Sequence, residues 1–223
     1  MFRIPPAIST MSLGDLKRFI KTGEGTFLEF KRTISSPEKI AREVCAFANT
    51  KGGTLLIGVD DNRTLIGVDS YYEEGYQLIE ALTVLCDPPL DYKIELLEMG
   101  DREIVIVKVE EAEKKPVYVK HNGKSEVYIR DKDKSVRASK ERAALLRSQN
   151  RDRGITFEFG ENEQRLFRYL NEYQKITVDE YARLINRSKY KSSRILIDLV
   201  SLGVLSLFSK NDQEYFTHSN KPF

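Results

Sequence analysis

The stretch from Cys45 to Asp61, CAFANTKGGTLLIGVDD, does most to limit the folds open to this chain. From Pro37 to Asn49, apolar residues recur at three- and four-residue intervals, which predicts a helix over 37–49. Gly52-Gly53 follows, and glycine suits a helix end that passes into a sharp turn because it adopts positive φ without steric cost. The apolar run Thr54–Val59 then predicts a buried strand, with two carboxylates at its end.

Further strands and helices follow in mixed order. The apolar runs 92–98 and 103–110 flank a glycine turn and predict a β-hairpin, and the second run is apolar on both faces, as a central strand would be. A helical pattern covers 71–85 and places five residues in one apolar stripe: Tyr72, Tyr76, Ile79, Leu82 and Leu85. Several adjacent strands beside helices indicate an α+β fold with a mostly antiparallel or mixed sheet.

Two sequence blocks carry a family resemblance. Glu24–Lys31 reads EGTFLEFK, and Asn49–Asp61 begins NTKGG and ends LIGVDD. In this order, with a helix between them, they resemble the signature of the Schlafen AlbA-like domain family. The resemblance implies a mixed-sheet AlbA-like domain over 12–149, which includes a helix from Ser139 to about residue 148. The polar stretch that ends at Gly154 predicts a linker over 150–160.

A different pattern begins at Glu161. Three helical segments are followed by two short strands around a polar turn, and Thr177 with Glu180 forms a capping box at the start of the second helix. Gly203 ends the third helix. This order predicts a winged helix-turn-helix domain over 161–218.

Three carboxylates are candidates for metal ligands. The resemblance implies that Glu24, Glu29 and Asp60 match the carboxylates of eukaryotic Schlafen domains that act as divalent-metal-dependent endoribonucleases. Carboxylate oxygens suit Mg²⁺ or Mn²⁺, and such a metal can activate water for phosphodiester cleavage. Lys31 lies on the same strand face as Glu29 and would neutralise developing charge. The alternative is structural: Glu29 pairs with Lys31, and Asp60 only begins a turn.

The most concentrated basic run lies at the start of the third helix of the predicted winged helix, where a recognition helix meets nucleic acid. Its side chains are types that contact phosphates. The predicted contacts there are Arg187, Lys189, Tyr190, Lys191, Ser193 and Arg194. The alternative is a solvated face, or a winged helix that only forms a dimer contact.

Two further arginines, Arg130 and Arg137, lie in a second basic stretch. It begins at a strand end, Tyr128-Ile129-Arg130, that resembles the closing motif of the family. Both arginines are predicted nucleic-acid contacts, with solvated mixed charge as the equal alternative.

Composition limits the remaining functions. The net charge is only +2, so any nucleic-acid surface must be a local patch. Two cysteines in apolar helical patterns indicate buried free thiols in a reducing compartment. The chain shows neither a signal-peptide pattern nor an apolar run near the ~18 residues that span a bilayer, so we expect a cytoplasmic protein without membrane contact. The segment Gly123-Lys124-Ser125 lacks the preceding glycine of a phosphate-binding loop, which argues against an ATPase, while weak nucleotide binding stays open.

The sequence therefore predicts a nucleic-acid-binding protein, namely a DNA-binding transcriptional regulator acting as a homodimer. The alternative is a Schlafen-type nuclease that uses Mg²⁺ or Mn²⁺, and a third reading is an interaction protein whose winged helix only dimerises. Whether the partner is DNA or RNA stays open.

Overall fold

The computed structural model describes residues 6–150 and 159–219 and divides the chain into two compact units, Met1–Ala138 and Ser139–Phe223. The helix that begins after Ser139, which the sequence analysis grouped with the first domain, therefore lies in the second unit. Residues 151–158 of the predicted linker lie outside the described residues. Within the described ranges, no helix is both long enough and apolar enough to cross a membrane.

The first unit combines helices with a mixed set of strands. Its helices are α1 (Leu13–Ile20), α2 (Pro37–Thr50) and α3 (Tyr71–Glu80), and a π-helical turn over Ala81–Leu85 continues α3. Its strands are β1 (Ala7–Ile8), β2 (Leu28–Lys31), β3 (Gly53–Ile57), β4 (Cys86–Asp87), β5 (Tyr92–Met99), β6 (Arg102–Val109), β7 (Tyr118–His121), β8 (Lys124–Glu126), β9 (Tyr128–Asp131) and β10 (Lys134–Arg137).

The main sheet has five strands in the order β1-β5-β6-β3-β2. The pairs β1/β5 and β2/β3 are parallel, whereas β3/β6 and β5/β6 are antiparallel. Strand β6 is central, and its residues Ile104–Val107 are buried on both faces, as its continuous apolar pattern indicates. The predicted α+β class with a mixed sheet is confirmed.

Helices cover both faces of this sheet. Alternate side chains of β3 divide between two cores, because Leu55 and Ile57 pack with α2 whereas Leu56 packs with α1. The turn from α2 into β3 requires glycine, since a Cβ at Gly53 would lie 2.3 Å from the ring of Phe47. The predicted sequence of helix, glycine turn and buried strand is confirmed.

The stripe predicted over 71–85 is wrong only in its first part. Its later members lie in or against the core: Ile79, Leu82 and Leu85. Tyr72 and Tyr76 are 75% and 72% exposed, whereas Tyr71 and Leu78 are buried. The buried stripe passes through Gly75, and the ring of Tyr71 packs where a side chain at Gly75 would lie. Glycine has no apolar side chain, so the sequence pattern did not mark position 75 as buried. Tyr72 and Tyr76, each one residue after a buried position, therefore predicted the wrong face for this part of the helix.

The second unit contains four helices and a hairpin within its described residues. These are α4 (Lys140–Ser148), α5 (Glu161–Tyr173), α6 (Val178–Leu184), α7 (Lys189–Ser201), β11 (Leu205–Lys210) and β12 (Gln213–His218). The predicted capping box of Thr177 and Glu180 starts α6. The core is built mainly of α5, α6, α7 and the hairpin, including Leu166, Leu196 and Phe216.

Candidate nucleic-acid interface

Arg130 of β9 is the centre of a buried ionic cluster in the first unit. Its Nη1 lies 3.0 Å from Oε2 of Glu29 and 3.0 Å from Oε2 of Glu43, and its Nη2 donates to the carbonyl oxygen of Gly25 at 2.6 Å. The guanidinium lies 4.9 Å from the ring centroid of Phe47, and the side chain is 0% exposed. A buried guanidinium of this kind must be paired, and two carboxylates and a carbonyl do so here.

Four elements bring this cluster together. Strand β2 supplies Glu29 and Lys31, α2 supplies Glu43, and β10 supplies Ser135, whose Oγ accepts from Arg130 and donates to Glu43. The backbone N–H of Arg130 donates to Oγ1 of Thr50 at 3.0 Å, which joins β9 to the end of α2. The cluster therefore connects the main sheet, α2 and the β9–β10 hairpin.

Lys31 is the most exposed of the four charged residues in the cluster, with its side chain 27% exposed. Its Nζ donates to Oε1 of Glu29 and lies 3.8 Å from Glu43. Burial raises the pKa of Glu29, because the cost of desolvating its carboxylate exceeds the effect of the hydrogen bond from Lys31, and the charge of Glu43 adds to the increase. The two carboxylates and two cations balance each other's charge.

The other two predicted metal ligands have separate partners. Oε1 of Glu24 accepts from the backbone N–H of Phe30 at 2.9 Å. Oδ1 of Asp60 accepts from the N–H of Asp61 at 3.1 Å, as in a turn, and Oδ2 lies 3.9 Å from Arg32.

The three carboxylates are not assembled as a ligand set. In residues 6–150 and 159–219, no group of three or more His, Cys, Asp or Glu side chains is arranged to hold a metal ion. The carboxylate of Glu29 pairs with two cations, Lys31 and Arg130. In a metal site it would instead face the ion together with other oxygen ligands. The residues present do not fit a three-carboxylate site in this arrangement, and we derive no catalytic step through a metal. The catalytic role of Glu24, Glu29, Asp60 and Lys31 stays a prediction.

The two arginines of the second basic stretch differ in accessibility. Arg130 is buried and its guanidinium is already paired, so its position does not favour the predicted direct contact with a phosphate, which stays a prediction. The sequence shows a basic residue at a strand end, but not that Glu29 and Glu43 meet it from two other elements. The side chain of Arg137 is 69% exposed and lies 3.1 Å from Glu126.

The basic face of the second unit is formed by exposed side chains at the start of α7 and just before it. We use this name for Arg187, Lys189, Tyr190, Lys191 and Arg194. Ser188 caps the helix by accepting from the N–H of Lys191, which fixes the first turn. Tyr190 is 77% exposed, and Lys189 lies 2.7 Å from Asp179. The remaining predicted contact, Ser193, is half-buried.

Part of the basic face lines a groove of ≈960 Å³ that also involves α4 and the tip of the hairpin. Tyr190 and Arg194 lie on the α7 side, and Lys140 and Arg147 lie on the α4 side. The groove has mixed charge, because carboxylates such as Asp198 also line it. Lys140 belongs to the second basic stretch of the sequence, of which only Arg130 and Arg137 were predicted contacts, and Arg147 lies in the helix that was predicted as part of the first domain.

A mixed sheet with helices on both faces defines the first unit as an α+β domain consistent with the AlbA-like class. The chain belongs to the Schlafen AlbA_2 family, because the sequence model of that family, described as Schlafen, AlbA_2, matches residues 24–139, just over half of the chain.

Two solved structures share similarity with the chain. The N-terminal domain of an ATP-dependent DNA helicase RecG-related protein from Nitrosomonas europaea is 26% identical, with a TM-score of 0.43 over 52% of this chain and 84% of that one. The DIP2311 protein from Corynebacterium diphtheriae is 16% identical, with a TM-score of 0.41 over 56% of this chain. The chain spans 24% of the length of DIP2311. The family match, rather than these distant structures, establishes the membership.

Proposed function

We propose that this chain is a nucleic-acid-binding protein whose second unit is a winged helix-turn-helix domain that binds duplex DNA through α7. The observation that carries the proposal is the basic face, where five exposed side chains lie at the start of α7 or just before it. The order α5, α6, α7 and then the β11–β12 hairpin is that of a winged helix, in which the third helix enters the major groove.

Family membership supports a function related to nucleic acid. The net charge of +2 also fits a local contact surface, because an attraction spread over the whole molecule would need a larger excess of basic residues. Lysine and arginine on an exposed helix contact phosphates and position the helix, and contacts to base edges would supply sequence preference. Binding of this kind needs neither a metal nor a cofactor.

The role that fits such binding is transcriptional regulation by a homodimer. Two-fold symmetry would present two α7 helices to two half-sites of a duplex, which raises both affinity and specificity. Size-exclusion chromatography with light scattering tests this part of the proposal. We expect twice the chain mass of 25.7 kDa, and a monomer mass would contradict the dimer.

Fluorescence anisotropy with labelled duplex DNA tests the binding itself. The double variant Lys191→Ala/Arg194→Ala should raise Kd about tenfold or more, because each lost contact to phosphate or base contributes a substantial part of the affinity. The matched control is Arg165→Ala/Arg168→Ala, which removes the same charge from exposed positions of α5. This control should change Kd by less than about threefold.

Two results would contradict the proposal. An equal loss in both variants would show that total charge, and not the basic face, determines the affinity. No binding of duplex DNA by the wild-type chain would remove the proposed function altogether.

A further inference from the structure

A second groove, of ≈540 Å³, lies in the first unit beside α1. Three cations line it: Lys17 from α1, Lys21 from the C-cap of α1, and Arg63 from the turn that follows β3. Its apolar part includes Leu65 and Met99. We refer to it as the α1 groove.

The lining of the α1 groove is positively charged. Among the described residues that line it, none is acidic. This distinguishes it from the groove beside α7, where carboxylates are interspersed with the cations. An anion would meet three cations at the α1 groove with no carboxylate on its wall, which favours a phosphate.

The cations are also held close together. Lys21, the C-cap of α1, keeps a helical backbone and lies four residues after Lys17, so the two lysines share one face. Arg63 has a left-handed backbone, with φ of 70°, and its Nη1 donates to the carbonyl oxygen of Lys21 at 3.1 Å. This bond fixes the guanidinium beside the end of α1, so part of the ordering that a bound phosphate would require is already present.

The apolar part of the groove adds a second requirement. A bare phosphate would use only the cations, whereas a nucleotide with an exposed base could also cover Leu65 and Met99. Bases of a duplex are stacked on each other, but those of a single strand can lie flat on a protein surface. The thioether of Met99 is a favourable contact for an aromatic ring.

We propose that the α1 groove binds unpaired nucleotides of single-stranded nucleic acid, with the phosphate on Lys17, Lys21 and Arg63 and the base on the apolar part. This inference rests on the proposed function, because it assigns a second nucleic-acid contact to a protein that binds duplex DNA elsewhere. It gives the first unit a contact surface that does not involve the buried ionic cluster.

Anisotropy with a labelled single strand of about 12 nucleotides tests the inference. The variant Lys17→Ala/Lys21→Ala should raise Kd for the single strand roughly tenfold. It should also reduce the slope of log Kd against log salt by about 1.4, because two phosphate contacts are lost. The control Lys39→Ala/Lys93→Ala removes two exposed lysines elsewhere in the same unit and should change Kd little.

Two single variants examine the other parts of the groove. Arg63→Asn keeps a residue that tolerates the left-handed backbone and should weaken single-strand binding several-fold. Met99→Ser should do the same without changing the charge. Neither should alter duplex binding, which the Lys191→Ala/Arg194→Ala variant should weaken.

The outcomes separate this inference from the proposed function. Equal single-strand affinity of Lys17→Ala/Lys21→Ala and its control, or no single-strand binding by the wild-type chain, would overturn the inference while duplex binding still stood. An unchanged Kd in Met99→Ser would also overturn it, because the groove would then hold an anion only. If the wild-type chain did not bind duplex DNA, the proposed function itself would be contradicted.

Discussion

Arg130 in the first unit and Arg194 in the second show two different uses of the same side chain. Arg130 is fully buried and meets Glu29 and Glu43, whereas Arg194 is exposed at the start of α7. The buried guanidinium holds β9 to β2 and α2. The exposed guanidinium is accessible to a partner.

The difference shows that a basic residue indicates a binding surface only when its charge is accessible. Burial of a charge is costly unless partners compensate it, so each member of the ionic cluster depends on the others. An exposed charge depends little on its neighbours, and its removal therefore changes binding more than stability. The two regions should respond to substitution in opposite ways.

The largest expected effect is the loss of stability in Arg130→Ala. Without the guanidinium, Glu29 would keep its buried position and Glu43 its half-buried one, and removal of one partner from a buried ion pair costs about 3–5 kcal/mol. Urea-induced unfolding followed by circular dichroism measures this loss.

Arg137→Ala is the matched control, because this arginine lies in the adjacent strand and pairs with Glu126 at the surface. Loss of an exposed pair should cost about 1 kcal/mol or less. The comparison would fail if Arg130→Ala were as stable as Arg137→Ala but bound nucleic acid much more weakly, since Arg130 would then act as a contact.

The smallest expected effect is that of divalent metal. Binding through lysine and arginine requires no metal, so Kd for duplex DNA should be the same in Mn²⁺ and in EDTA at matched ionic strength. Incubation with tRNA, single-stranded DNA and duplex DNA under the same conditions should give no metal-dependent cleavage. Cleavage that requires Mn²⁺ and is lost in Glu29→Gln would instead establish the nuclease implied by the family resemblance.

Local patterns predicted the main elements of the fold because they depend on residues close in sequence. The helix before Gly52-Gly53, the buried strand after it and the capping box of Thr177 each follow from a few neighbouring residues. The central position of β6 was also predictable, because only a strand covered on both faces is apolar on both.

Features that depend on distant partners were not predictable in this way. The burial of Arg130 requires Glu29 and Glu43, which lie 101 and 87 residues away in sequence. The grouping of α4 with the second unit depends on tertiary packing, and the buried stripe of α3 depends on Gly75, which carries no side chain. The α1 groove joins α1 to a turn and a strand end, so no single segment could indicate it.

The salt dependence of duplex binding tests the central claim most directly. Log Kd for labelled duplex DNA should be measured against log salt for the wild-type chain and for Lys191→Ala/Arg194→Ala. If α7 contacts the phosphates, the wild-type slope should be steep, and the variant slope should be shallower by about 2, because each lost phosphate contact removes about 0.9. Equal slopes for the two proteins, or a wild-type Kd that does not change with salt, would contradict binding through the basic face.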